Sequence, residues 1–160
     1  MRKVNVIGVG MIKFTSPKAL IPYTQMAYEA TNDALKDAGI KYDKIEEAYT
    51  GWVYADSCAG EKVLYSIGLT GIPIFNVNNN CATGSNALYL ARRAVATGVV
   101  ECAIALGFEQ MTPGALGVVF DDRPTPMENY FVELASIQDL TSVPPTAQLF
   151  GAAGVEYMEK

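Results

Sequence analysis

Residues 74–88 read IFNVNNNCATGSNAL, and the fold turns on what happens in the middle of that string. Ile74–Val77 is a short apolar run, the mark of a buried strand. Past Cys81 the side chains become small. Ala87, Leu90, Ala91 and Ala94 then recur at helical spacing over Ala82–Ala96, with Arg92 and Arg93 towards solvent and Gly98 as the stop. A strand therefore passes into a helix across Asn78, Asn79, Asn80 and Cys81. A sharp strand-to-helix turn lifts one side chain into a pocket, and here that side chain is a thiol. Backbone N–H groups at the helix start, with the positive end of its dipole, favour negative charge at that place. The same groups can hold a developing oxyanion. Each of the three asparagines needs several hydrogen-bond partners, which predicts a tightly bonded turn or a contact with another chain. Gly84 and the small Ala82, Thr83 and Ser85 would let a substrate come close to the backbone.

Working outward, Val4–Val9 is a β-branched run punctuated by Gly8 and Gly10 and reads as a strand. Tyr23, Met26, Ala27, Ala30, Ala34, Leu35 and Ala38 predict a helix over Tyr23–Ala38, stopped by Gly39. Ala48–Tyr54 reads as a strand, Glu61–Ile67 as a short helix and Ala103–Leu106 as a further strand closed by Gly107. The order β-α-β-α-β-α-β predicts an open, largely parallel α/β sheet. Beyond Met111, Gly, Pro and acidic residues rise through Thr112–Pro126, and Val143-Pro144-Pro145 forbids a continuous helix there. Gln148–Lys160 reads as a short final helix. The chain thus divides into an α/β part, residues 1–111, and a looped part, residues 112–160.

Composition removes whole classes of function. The chain has 160 residues, the size of one domain or one piece of a larger one, and its 50% hydrophobic and 18% charged content calls for a packed core. Twelve basic against 17 acidic residues leave a net charge of −5, with no basic block, so nucleic acid is not an expected partner. There is no histidine, which excludes a Ser–His or Cys–His pair within the chain and any histidine-held metal. Cys58, Cys81 and Cys102 form no CxxC pair, and Cys58 and Cys102 read as packing residues. The glycines of VIGVG lack the third member and the helix of a dinucleotide fingerprint and read as a strand-end turn. No stretch approaches the roughly 20 apolar residues of a membrane span, and no secretory leader is visible. Acidic charge and reduced thiols give a cytoplasmic expectation.

NVNNNCATGSNAL followed by GVVECAIALGFEQM resembles the nucleophile region of the thiolase superfamily, in particular its sterol-carrier-protein-type branch. VIGVGMIKF, TGIPIFNVNNN and TAQLFGAAGVEYMEK are similar to the same branch, so the resemblance runs along nearly the whole chain. It implies a thiolase-like α/β fold, represented by its N-terminal βαβαβαβ half and the start of the loop or cap insertion. It implies a 3-oxoacyl-CoA acyltransferase, with CoA as co-substrate and no resident cofactor or metal. By the resemblance, Cys81 is the acyl-accepting nucleophile with its own N–H in the oxyanion site. Asn78, Asn79 and Asn80 form a structural turn near a dimer interface, and Met111 borders the acyl pocket. The activating histidines and the second cysteine belong to a later half of such proteins. The partners implied are acyl-CoA and either a second copy of this chain or a separate chain that supplies that half. Glu101 and Glu109, beside the last strand, read as solvated charges.

Two other readings stand beside this one. A truncated thiolase-like subunit could act in assembly or acyl-CoA binding without chemistry, as the missing histidines suggest. An aldolase-like lyase on the same scaffold is disfavoured, since such relatives lack the nucleophilic cysteine that Cys81 supplies.

Overall fold

The computed structural model describes residues 2–112 and 120–160. They fall into two compact units, within Met1–Thr112 and Pro113–Lys160. In chain order the first unit contains α1 (Tyr23–Ala38), β1 (Glu47–Gly51), α2 (Ala59–Leu64), β2 (Ile74–Val77), α3 (Thr83–Thr97) and β3 (Ala103–Gly107). The second contains α4 (Glu128–Ile137) and α5 (Pro145–Glu159).

The helix stops follow their glycines. Gly39 ends α1 at φ 66° and Gly98 ends α3 at φ 79°, each returning its N–H to the last carbonyls of its helix. This left-handed conformation costs glycine nothing, because it has no Cβ. The sheet is parallel in the order β2-β1-β3. Residues alternate between its faces. Ala48 and Leu106 pack with Ala27, Leu35, Val63 and Leu64 on the α1/α2 side, while Tyr49 packs with Ala87, Ala91 and Ala94 of α3. Ala103 and Ala105 meet that second cluster, so α3 lies on the sheet through small side chains. Val63 and Leu64 are 0% exposed, and full burial of such a side chain stabilises by about 1.5–3 kcal/mol. Tyr49 stacks on Phe75 at 5.0 Å between ring centres and donates its hydroxyl to Glu47 at 2.6 Å.

The expected strand over Val4–Val9 is absent. A β-branched run becomes a strand only against another strand's backbone, and this one lies along α1 instead. There Gly8 and Gly10 allow the approach: an added Cβ would lie 2.4 Å from the Ala34 carbonyl oxygen and 2.1 Å from that of Ala30, respectively. The G-V-G pair is thus a helix-packing device rather than a strand-end turn. The Val9 N–H donates to Asp37 at 2.9 Å. Val6 and Val9 are left 74% and 69% exposed. Ahead of this run, Arg2 straps the chain to the end of α3. Its N–H donates to Ala96 O, and its guanidinium reaches the carbonyls of Val95 and Val100 and the carboxylate of Glu101. A cation there complements the negative end of the helix dipole.

Other boundaries move by small amounts. β1 starts one residue before the expected Ala48 and stops at Gly51, so Trp52–Tyr54 leave the sheet as a loop. The short helix forms at Ala59–Leu64 rather than Glu61–Ile67. In the second unit, α5 starts at Pro145, a residue suited to the first helical turn, where no N–H is needed. The Gln148 side chain donates to Val143 O and accepts from the Thr141 N–H, bracing that start. α4 has no counterpart in the sequence reading. Of the looped stretch Thr112–Pro126, residues 113–119 lie outside the described residues. Among the described residues no helix is long and apolar enough to cross a membrane.

Two outcomes follow from this packing. Gly10→Ala forces α1 and the N-terminal segment apart and lowers stability by about 1–3 kcal/mol, measured by chemical denaturation. The Tyr49 phenol is pushed up to about 12, first by burial and then by its bond to Glu47 and that residue's charge. The unfolded phenol ionises near 10. The stability that neutral Tyr49 contributes is therefore whole below pH 10 and is lost as pH rises from about 10 to about 12. Tyr49→Phe removes that part of the alkaline loss in stability-versus-pH curves.

Candidate active site

Parallel strands bring their carboxyl ends to one edge, and the register sets Gly51 beside both Val77 and Gly107. Open α/β sheets bind ligands at this edge. Three segments leave it: the loop from Trp52, the asparagine turn from Asn78, and Phe108–Met111. Cys81 stands four residues past the end of β2, in a 3-10 turn over Asn80–Ala82 that runs directly into α3. It is exposed, and its Sγ lies 4.0 Å from Asn80 Oδ1.

The turn is built by local polar groups. The Asn79 N–H donates to Thr83 Oγ1 at 2.8 Å, and that hydroxyl donates to Asn80 O at 2.6 Å. The Asn80 N–H donates to Asn78 Oδ1 at 3.3 Å, and the Ala82 N–H to Asn79 O at 3.0 Å. Asn80 sits at φ 47°, a left-handed conformation that asparagine tolerates better than most residues. The Cys81 N–H meets no acceptor among the described residues. Gly51 lets this turn come against the central strand: an added Cβ would be 2.8 Å from Thr83 Cγ2. At Gly84 an added Cβ would meet nothing within 4 Å, so packing among the described residues does not demand glycine there.

Opposite the turn, the loop from Trp52 is fastened at successive residues. The Trp52 N–H donates to Val77 O and its indole to Asn76 Oδ1 at 2.9 Å. That oxygen also receives Thr50 Oγ1 and the Gly60 N–H, while the Asn76 amide donates to Glu61. The Val53 and Tyr54 N–H groups each donate to one carboxylate oxygen of Glu109, both at 2.9 Å. Glu109 is thus half-buried and bonded, not the solvated charge expected of it; Glu101 is exposed and pairs with Arg2. The missed signal was position, since Glu109 lies two residues beyond β3 at the same sheet edge as Cys81. Burial pushes the Tyr54 phenol above its ordinary range, with the charges of Glu109 and Cys81 adding to the effect.

The remaining sites divide. Cys58 is exposed at φ 63° ahead of α2, contrary to the packing role expected of it. Cys102 packs against the main core, and burial, then Glu46, pushes its thiol up. Met111 is half-buried, four residues past β3. Among the described residues no group of three or more His, Cys, Asp or Glu side chains is placed to hold a metal ion.

Residues 4–143 match the family described as thiolase, N-terminal domain. The chain belongs to the thiolase family. Sterol carrier protein 2 of Homo sapiens is 48% identical over 163 residues, covering 100% of this chain and 30% of that protein. The benzoylsuccinyl-CoA thiolase subunit BbsB of Thauera aromatica is 34% identical over 113 residues, 69% of this chain and 29% of that protein. Among solved structures, 3-oxoacyl-[acyl-carrier-protein] synthase III of Aquifex aeolicus superposes with a TM-score of 0.55 at 18% identity, covering 65% of this chain and 44% of the other. That likeness is one of fold, and it agrees with the α/β, thiolase-like architecture expected. This thiolase N-terminal domain spans about three tenths of the length of the curated relatives it matches.

Thr83 is the hinge pin of the turn, because one hydroxyl both accepts and donates. Thr83→Val keeps the shape, strands the Asn79 N–H and costs about 1–3 kcal/mol, read by denaturant unfolding. The Cys81 peptide of that variant should also alkylate at a changed rate, measured by mass spectrometry.

Proposed function

We propose that this thiolase-family chain carries the acyl-accepting half of a 3-oxoacyl-CoA acyltransferase, with Cys81 as nucleophile. The observation that carries the reading is an exposed thiol on a braced turn at the carboxyl edge of a parallel sheet, with its own N–H unengaged. In the cleavage direction, Cys81 Sγ attacks the 3-oxo carbon and its proton goes to solvent or to a partner's base. The C2–C3 bond breaks, C2 takes up a proton, and C1–C2 leave as acetyl-CoA, while the acyl chain, shortened by two carbons, stays on Cys81 as a thioester. The free CoA thiol then attacks the acyl-Cys81 thioester, releasing acyl-CoA and restoring the cysteine. The Cys81 N–H is suited to receive the oxyanion in each addition. Asn78, Asn79 and Asn80 shape the turn, Gly84 is assigned to leave room beside it for substrate or a partner chain, and Met111 is assigned to the border of the acyl pocket.

CoA is a co-substrate here, and no resident cofactor or metal is assigned. The relative's name, benzoylsuccinyl-CoA thiolase subunit, supports a CoA thioester as the substrate class. Proton transfer at C2 needs a base, and the chain holds no histidine. Turnover therefore calls for a base from outside these 160 residues, which a second copy of them would not bring as histidine. The absence of histidine also favours a second reading, a thiolase-like subunit that binds acyl-CoA or serves assembly without turnover.

Intact mass after incubation with acetoacetyl-CoA separates the two. The first reading expects an acyl adduct on the parent and none on Cys81→Ser. A folded parent that takes no adduct establishes the second.

A further inference from the structure

Glu109 makes two hydrogen bonds to backbone far from it along the chain. Oε2 receives the Val53 N–H and Oε1 the Tyr54 N–H, both at 2.9 Å. Among the described residues it has no salt-bridge partner. A half-buried carboxylate with both oxygens on one loop's backbone is spent on holding that loop in place. The loop follows Gly51, where an added Cβ would lie 2.8 Å from Thr83 Cγ2 in the Cys81 turn and whose carbonyl accepts the Phe108 N–H at 3.1 Å. Trp52 is fastened at the other side to Val77 and Asn76. Bonds from β2 and from the residues after β3 thus clamp three successive residues beside the turn that carries Cys81.

We propose that Glu109 is a positioning residue for the Cys81 site: its carboxylate fixes Val53 and Tyr54, which with the separately fastened Trp52 form one wall of the place where an acyl-CoA meets the thiol. The Tyr54 phenol, raised first by burial and then by the charges of Glu109 and Cys81, is within electrostatic reach of both. This inference rests on the reading of Cys81 as acyl acceptor. Glutamine at 109 would present an N–H₂ donor to one of the two N–H groups and release that end of the loop. Loss of a charge-assisted hydrogen bond raises the detached population about tenfold.

The test compares the full 160-residue chain with Glu109→Gln. Trp52 is the only tryptophan and adjoins Val53, so its quenching by acrylamide reports on the loop at the residue next to the Glu109 bonds. At the Cys81 peptide, mass spectrometry gives the rate of acylation by acetoacetyl-CoA and the rate of alkylation by iodoacetamide, a small neutral reagent that needs no wall. The expected result is stronger Trp52 quenching and acylation slowed about tenfold, with alkylation and circular dichroism unchanged. A purely structural Glu109 would alter both rates together or neither. Equal rate changes, or Trp52 quenching identical to the parent, overturn the proposal. Should Glu109→Gln not fold, Glu109→Asp keeps both oxygens on a shorter arm and is read the same way. A parent that alkylates but never acylates refutes the acyl-acceptor reading alone. The clamp then stands if Trp52 quenching responds to the substitution and falls if it does not.

Discussion

The pairing of the Glu47–Gly51 strand on both of its edges is the constraint from which the rest of the first unit follows. Because both neighbours run parallel to it, all three strands end at one edge, and every segment that leaves there is brought together regardless of its distance along the chain. Gly51 then contributes by having no side chain, since the asparagine turn rests where its Cβ would be. A methyl group at that one position would push the cysteine's turn off the sheet. The site is therefore an outcome of strand register first and of the residues on its loops second.

Much of this was legible in the sequence. The helix Tyr23–Ala38 and the strand Ile74–Val77 fall where periodicity places them, because amphipathic spacing and glycine stops are local signals. The string around Cys81 identified both the strand-to-helix turn and the thiolase resemblance, and the family match bears out the latter. Failures came where the deciding partner is distant in sequence. Val4–Val9 has the composition of a strand, yet its glycines are fitted to Ala30 and Ala34 of a helix. Glu109 looked like a surface charge because its partners, Val53 and Tyr54, lie more than 50 positions away. Nothing in a local window announces an acceptor for someone else's backbone.

The edge network also divides its work by chemistry. Asn76, with one oxygen and one amide group, joins a hydroxyl, an indole, a backbone N–H and a carboxylate, so it ties strand, loop and α2 together. Glu109, which only accepts, serves backbone alone. The asparagine turn uses a third device, a threonine hydroxyl that both donates and accepts within five residues. Three short polar constructions thus stand at the sheet edge from which the turn bearing the thiol departs.

The strap made by Arg2 bears on the order in which the protein takes shape during synthesis. Its partner Glu101 lies 99 residues further along the chain. At about 5–20 residues per second, the ribosome needs roughly 5–20 s to make that partner after Arg2 itself is made. Throughout that interval the valines that follow Arg2 have no anchor at their amino end. The segment is made well before its anchor and is strapped down only afterwards, so in a cell its apolar face is open to whatever shields nascent chains.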